Sequence, residues 1–242
     1  MPYGIGLCVL LLLVLAGVSY GRTAEGRGFF GELCVRLLLG RTKADRQYVI
    51  HNLMLRAEDG RTAQIDHIVI NPRGVFVLET KNYSGRIYGQ EAAHEWTQVL
   101  AHGRVKNKLY NPIKQNKTHI YHLSNVLCHK VFLTSVVVFV QGNIRFIEAD
   151  GVYDLRGMRR ALRAGKPRLS EAQMREIYEV LTEAHDPSIT RREHLDNIQR
   201  TRRTVELGIC PRCGRRLVRK WAKGKELYRC KGYPKCRFTK DA

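Results

Sequence analysis

The stretch QIDHIVINPRGVFVLETKNYSG, residues 64–85, limits the fold more than any other part of the chain. Two apolar runs rich in Val and Ile flank Asn71-Pro72-Arg73-Gly74, where Pro suits the second and Gly the fourth position of a type I turn. The pattern reads as a β-hairpin. Centred on that turn, it sets Asp66 opposite Glu79 and Gln64 opposite Lys81. Side chains alternate along a strand, so Glu79 and Lys81 share a face with Ile68, Ile70, Val75 and Val77. His67 points to the other face and reads as a satisfied core histidine. Cross-strand partners hold their Cβ atoms ~5 Å apart, and two carboxylates that close repel unless a cation joins them. A hard ion with oxygen ligands, Mg²⁺ or Mn²⁺, suits the pair. The plain alternative is a surface hairpin with a solvated Glu79 and Lys81.

The flanking segments supply the rest of a domain. RGFFGELCVRLLLGR carries Phe29, Phe30, Leu33, Leu37 and Leu38 at helical spacings, with Gly40 as its stop. QYVIHNLMLR reads as a strand ending in the polar turn AEDGRT. After the hairpin, SGRIYGQ suggests one more short strand and HEWTQVL an irregular or strand-like segment. NPIKQNKTHIYHLSNVL begins with a Pro and carries a helical stripe of Ile113, Ile120, Leu123 and Leu127. KVFLTSVVVFVQG has the β-branched composition of a buried strand. The expected fold is therefore α/β, a mixed central sheet flanked by helices over residues 22–150. Residues 151–205 are Arg-rich and helical in pattern, a basic linker in which Ser170 is a good N-cap.

Charge narrows the partners. Lys and Arg number 42 against 22 Asp and Glu, a net +20. So basic a chain points to a polyanion, either nucleic acid or an anionic membrane surface. The excess peaks in residues 206–242, with 12 Lys and Arg against 3 Asp and Glu. At the other end, Tyr3–Tyr20 is an uncharged, mainly apolar run of 18 residues. As a helix it would span about 27 Å, enough for a ~30 Å hydrocarbon core. Residues 1–21 therefore read as a single membrane-anchoring helix, with a cleaved signal peptide as the rival. Arg22 and Arg27 follow the run and no Lys or Arg precedes it, which places the bulk of the chain in the cytoplasm.

The seven cysteines are unevenly spread. Cys8, Cys34 and Cys128 sit singly, whereas Cys210, Cys213, Cys230 and Cys236 cluster. Cys210-x2-Cys213 and Cys230-x5-Cys236, with 16 residues between the pairs, have the spacing of a four-thiolate Zn²⁺ site. Two local disulfides are the alternative, disfavoured in a reducing compartment. Such a segment is too short to build enough core alone, so zinc would hold it folded. Among these cysteines, Arg215, Arg216, Arg219, Lys220, Lys223, Lys225 and Arg229 alternate with Trp221 and Tyr233, a mixture suited to phosphate contact and base stacking.

Gly31-Glu32, QIDHIVI, GVFVLETKNYSG and NPIKQN, in that order, resemble the NERD (nuclease-related) domain of the PD-(D/E)xK nuclease-like superfamily, over roughly residues 26–142. The resemblance implies a restriction-endonuclease-like fold. It also implies that Asp66 and Glu79 bind the divalent metal and that Lys81 orients or deprotonates the attacking water or offsets phosphate charge. Glu32 would help hold metal or water, and Gln115 would position Lys81 or the substrate. CPRCG, LV, LYRC and YPKCRFT resemble the four-cysteine zinc ribbons of bacterial type I topoisomerases, which implies single-stranded DNA as a partner. Together these features point to a membrane-anchored, Mg²⁺-dependent DNA endonuclease-like protein. One alternative is a catalytically inactive DNA-binding scaffold with a nuclease fold. A second is a membrane protein whose basic linker binds anionic lipid.

Overall fold

The computed structural model describes residues 19, 21, 23–57, 59–222 and 224–241. The expected anchor at Tyr3–Tyr20 therefore lies outside the described residues, apart from Ser19. Among the described residues, no helix is long and apolar enough to cross a membrane. The chain divides into two compact units, one of residues up to 53 with 65–184, the other of 54–64 with 185–242.

The first unit is built on a mixed sheet flanked by helices. It opens with α1 (Ala24–Leu39), whose first turn is closed by the Thr23 hydroxyl accepting from the Gly26 N–H at 3.0 Å. Gly40 ends it with φ 73°, a left-handed geometry that favours glycine. Then come β1 (Tyr48–Arg56), β2 (Thr62–Asn71), β3 (Gly74–Gln90), β4 (Glu95–Leu100) and β5 (Val105–Tyr110). Next are α2 (Pro112–Val126), β6 (Leu133–Glu148), β7 (Val152–Asp154), α3 (Leu155–Ala161) and α4 (Glu171–Glu183). Ser170 caps α4 with a reciprocal bond to Gln173. The strands run in the order β1-β2-β3-β4-β5, with β6 parallel to β3 and β7 parallel to β6.

Strand β3 organises this sheet. Along one edge it pairs with β6 from Val75 to Gln90. Along the other it pairs first with β2, from Asn71–Gly74 to His67–Leu78, and later with β4, from Arg86 to Tyr88. The hairpin register is the expected one. Between Leu78 and Arg86, β2 and β4 part from β3, and the sheet forks.

Alternation along the strands gives each face its own core. Val136 and Val138 face Val35 and Leu39 of α1 and Met158 of α3, whereas Val137 and Phe139 face Ile113 of α2, Ile87 and Trp96. One expectation needs revision and two are made definite. SGRIYGQ is no separate strand but the second half of the 17-residue β3, because β6 accompanies it throughout. HEWTQVL is the regular strand β4, and β5 beside it was not foreseen, since five of its six residues are exposed and show no period. On α1 the core side is Val35 and Leu39, while Phe29, Phe30, Leu33, Leu37 and Leu38 are exposed.

In the second unit the tip of the β1–β2 hairpin is tied to α5 (Arg191–Glu206). Arg56 bonds Asp186 at 2.9 Å and Glu193 at 2.7 Å, and Thr62 Oγ1 meets His194 Nδ1 at 2.8 Å. The chain ends in a three-stranded antiparallel sheet of β8 (Leu217–Ala222), β9 (Lys225–Cys230) and β10 (Thr239–Asp241), in the order β10-β9-β8.

Candidate functional site

The fork in the sheet gathers the charged residues of the hairpin. One step beyond the last β2–β3 pair, Asp66 Oδ2 accepts the backbone N–H of Thr80 at 2.8 Å. Glu79 is 2% exposed, so its charge must be answered locally. Its Oε1 lies 2.6 Å from Lys81 Nζ, and its Oε2 lies 3.2 Å from His119 Nε2. Lys81 Nζ donates in turn to Gln115 Oε1 at 3.1 Å. Gln115 and His119 are four residues apart on α2, hence on one helical face over the carboxylate. Asn111 caps that helix, and Asn116 Nδ2 pins it to the sheet through Val77 O at 2.8 Å and Ser135 Oγ at 2.9 Å.

Glu32 reaches the same neighbourhood from α1. A Cβ on Gly31 would fall 2.7 Å from the Asn82 Cβ, so only glycine lets the helix cross β3 this closely. Burial, then the charges of Glu79 and Glu32, push the Asp66 carboxyl well above the usual carboxylate range. Burial would also raise Glu79, but Lys81 and His119 outweigh it and hold that carboxyl below its ordinary value. For Lys81, burial would lower the pKa, yet Glu79, Tyr83 and Asp66 raise it. The lysine is held as a cation.

These residues suit a hard divalent cation in one respect and not in another. Asp66 is raised by burial and by the charges of Glu79 and Glu32, a repulsion that a cation would relieve. The acidic oxygens are not, however, drawn into a closed ligand set. Among the described residues, the group of three or more metal-ligating side chains that converges is the four cysteines. A cation would have to displace Lys81 or His119 from Glu79.

The structure brings Asp66, Glu79, Lys81 and Gln115 together. Sequence reasoning missed His119, whose signal was its i+4 spacing from Gln115. It also missed the partner of His67. On the opposite face, His67 Nδ1 lies 2.8 Å from His51 Nδ1 on β1, and burial, His51 and Arg36 lower the His67 pKa to about 3. His67 is a buried neutral imidazole.

In the C-terminal sheet the sulfurs of Cys210, Cys213, Cys230 and Cys236 all lie within 4.8 Å of one another. Cys210–Cys236 is 3.6 Å and Cys213–Cys230 is 3.3 Å. Four thiolates ~2.3 Å from one tetrahedral Zn²⁺ would stand ~3.8 Å apart, so the set fits the ion. The Arg215 backbone N–H lowers the Cys213 thiol to about 7, near the range where a thiolate ligand forms readily. Of the candidate nucleic-acid contacts, Arg215, Arg216, Arg219, Lys220, Trp221 and Tyr233 are exposed. The Arg229 guanidinium lies 4.4 Å from the Tyr233 ring centroid, and Arg219 donates to the Tyr228 hydroxyl at 3.2 Å. Lys223 and the side chain of Lys225 lie outside the described residues.

Part of the chain matches a known family. Residues 27–140 match the nuclease-related domain, NERD. The NERD region holds Glu32, Asp66, Glu79, Lys81 and Gln115 and stops short of the cysteines. An uncharacterized protein of Bacillus anthracis is 43% identical over 112 residues, 46% of this chain and 52% of that protein. The chain thus spans about half the length of the curated relative it matches. No solved structure matches.

Proposed function

We propose that this protein is a membrane-anchored, divalent-metal-dependent phosphodiesterase that acts on DNA and grips it through a zinc-bound C-terminal ribbon. The observation that carries the reading is the grouping of Asp66, Glu79, Lys81 and Gln115 at the fork of a NERD-region sheet. Asp66 and Glu79, with Glu32 beside them, would hold Mg²⁺ or Mn²⁺, which when bound activates water and neutralises charge on the phosphate. Lys81, raised by Glu79, Tyr83 and Asp66 against the effect of burial, is suited to stabilise charge at the scissile phosphate rather than to take a proton. Gln115 holds the Lys81 ammonium in place and His119 holds Glu79. In the ribbon, exposed Trp221 and Tyr233 offer stacking faces beside Arg215, Arg216 and Lys220. The apolar run Tyr3–Tyr20 and the exposed Leu33 and Leu37 of α1 support the membrane anchor, with Arg22 and Arg27 favouring a cytoplasmic domain. Retention of the chain in carbonate-washed membranes tests that placement, and recovery of a processed soluble form would overturn it.

The decisive experiment incubates the full-length protein with single-stranded, duplex, branched and nicked DNA in Mg²⁺, Mn²⁺ or EDTA. Asp66→Asn, Glu79→Gln and Lys81→Ala should each slow cleavage by about 10²-fold or more while DNA binding persists. Unchanged cleavage in all three would remove the fork from the chemistry. The inactive-scaffold reading has one observation in its favour, that Lys81 and His119 stand against both carboxylate oxygens of Glu79. Wild type that binds DNA but cuts nothing in either metal would establish it.

A further inference from the structure

The outer part of the sheet carries a second site on the face away from Glu79 and Lys81. Cross-strand partners share a face, and the register lines up Arg86, Val99 and Lys106 in one row and Tyr88, Thr97 and Lys108 in the next. Ile87 and Gln98, between the rows, and Trp96, one step past them, turn the other way and are buried, Ile87 and Trp96 against Ile113 and Phe139. The rows therefore face solvent. On β6, Phe146 pairs with Tyr88 in register, and the two rings stack at 4.7 Å between centroids with 20° between planes. Both rings stay open to solvent, Tyr88 at 37% and Phe146 at 41%. Beside them lies a basin of about 430 Å³ whose lining includes Arg86, Tyr88, Thr97, Val99, His102 and Lys106.

No carboxylate lines this basin. The nearest acids on these strands stand past the Tyr88 row: Glu95, and Glu148, which accepts a hydrogen bond from Gln90 at 3.0 Å. Arginine and lysine beside an exposed aromatic pair, on a shallow β surface, is the chemistry that holds single-stranded nucleic acid. The cations take phosphates and the rings take base faces. A simple anion would have no use for the stacked pair. A bilayer would be met by projecting apolar side chains, whereas here Thr97 and Val99 lie between cations. Lys81 and Arg86 are five residues apart on β3, at most ~17 Å, so the basin and the carboxylates flank the same fork.

We propose that this basin is a second contact site for single-stranded nucleic acid, separate from the cysteine-bearing sheet, which holds a strand next to the fork. The proposal rests on the DNA-directed reading above. The test measures binding of full-length protein in detergent to a fluorescein-labelled oligothymidylate and to an abasic oligonucleotide of the same length. Tyr88→Ala should weaken the oligothymidylate about 10-fold and leave the abasic strand unchanged. Tyr88→Phe should restore wild-type affinity. Lys106→Ala should weaken both strands and reduce the salt slope by about 0.7. Replacing thymidine with 5-bromodeoxyuridine should direct photocross-linking to the peptide containing Tyr88. Wild type that binds no oligonucleotide overturns this proposal and the DNA reading together. Wild type that binds while Tyr88→Ala and Lys106→Ala, both still folded by circular dichroism, bind equally well overturns the basin alone. Thymidine monophosphate displacing the probe as well as unlabelled oligonucleotide would make the basin a nucleotide site and overturn the strand. Loss of anionic-vesicle binding in Lys106→Ala with strand binding intact would do the same in favour of lipid.

Discussion

Asp66 and Glu79 are two carboxylates at one fork, and their surroundings drive them in opposite directions. Glu79 is buried against Lys81 and His119 and held below its ordinary pKa. A depressed carboxyl contributes stability above its unfolded value of ~4.3, and that contribution is lost as pH falls through the folded value. Asp66 is raised by burial and by Glu79 and Glu32. Its contribution is present below ~3.9 and lost as pH rises through the folded value, so the ionised group opposes folding at neutral pH. In EDTA at pH 7, Glu79→Gln should lose about 3–5 kcal/mol, because Lys81 is left buried without its counter-charge. Asp66→Asn should instead raise stability there, and its advantage should vanish below about pH 4. Urea unfolding across pH in EDTA measures both. An Asp66→Asn chain as unstable as Glu79→Gln would show that the bond from Thr80 outweighs the repulsion.

Among the helices, α1 makes the tightest demand for glycine. It crosses β3 at Gly31, where a Cβ would meet Asn82 at 2.7 Å, while three residues earlier a Cβ on Gly28 would meet nothing within 4 Å. Two glycines in one helix therefore have opposite roles. Gly28→Ala should stabilise by about 1 kcal/mol through helix propensity alone. Gly31→Ala should destabilise by about 1–3 kcal/mol as the helix is forced off the strand. It should also slow cleavage, because Glu32 moves with the helix. Chemical denaturation of the two variants, with cleavage rates alongside, separates these effects. Equal stability in both would mean that α1 does not rest on Asn82 in solution.

At the scale of the whole molecule, the two units rest on different sources of stability. The first has an extensive apolar core on both faces of its sheet. Among the described residues of the cysteine-bearing segment and its three-stranded sheet, the buried apolar-class side chains are Cys210 and Cys230, so on the zinc reading a bound ion supplies what packing cannot. The purified protein should carry about one Zn²⁺ per chain. Cys213→Ser, or a chelator in the wild type, should melt the small sheet and weaken DNA binding, with the thermal transition of the first unit unmoved. Atomic absorption and calorimetry provide the readouts. Full zinc content in Cys213→Ser would end the assignment.

The features legible in the residues were those decided by neighbours in the chain. Pro72 and Gly74 set the turn, the turn set the β2–β3 register, and alternation then put Asp66, Glu79 and Lys81 at one end of the hairpin. Gly40 and Ser170 marked helix ends through their own backbone and side-chain chemistry, and cysteine spacing foretold the cluster of four sulfurs. Tertiary structure decided what depends on partners far along the chain. Strand β3 continues past Lys81 because β6 accompanies it, and β5 exists because β4 offers it an edge. Glu79 meets His119 only because α2 packs over that face. On α1, the Leu and Phe residues that mark a helix do not say which side turns inward, and close approach at Gly31 chose Val35 and Leu39 over Leu33 and Leu37. The physical reason is one of range. Backbone sterics and local hydrogen bonds act over a few residues and can be read in order, whereas apolar burial has no direction of its own and takes one only from the surface it meets.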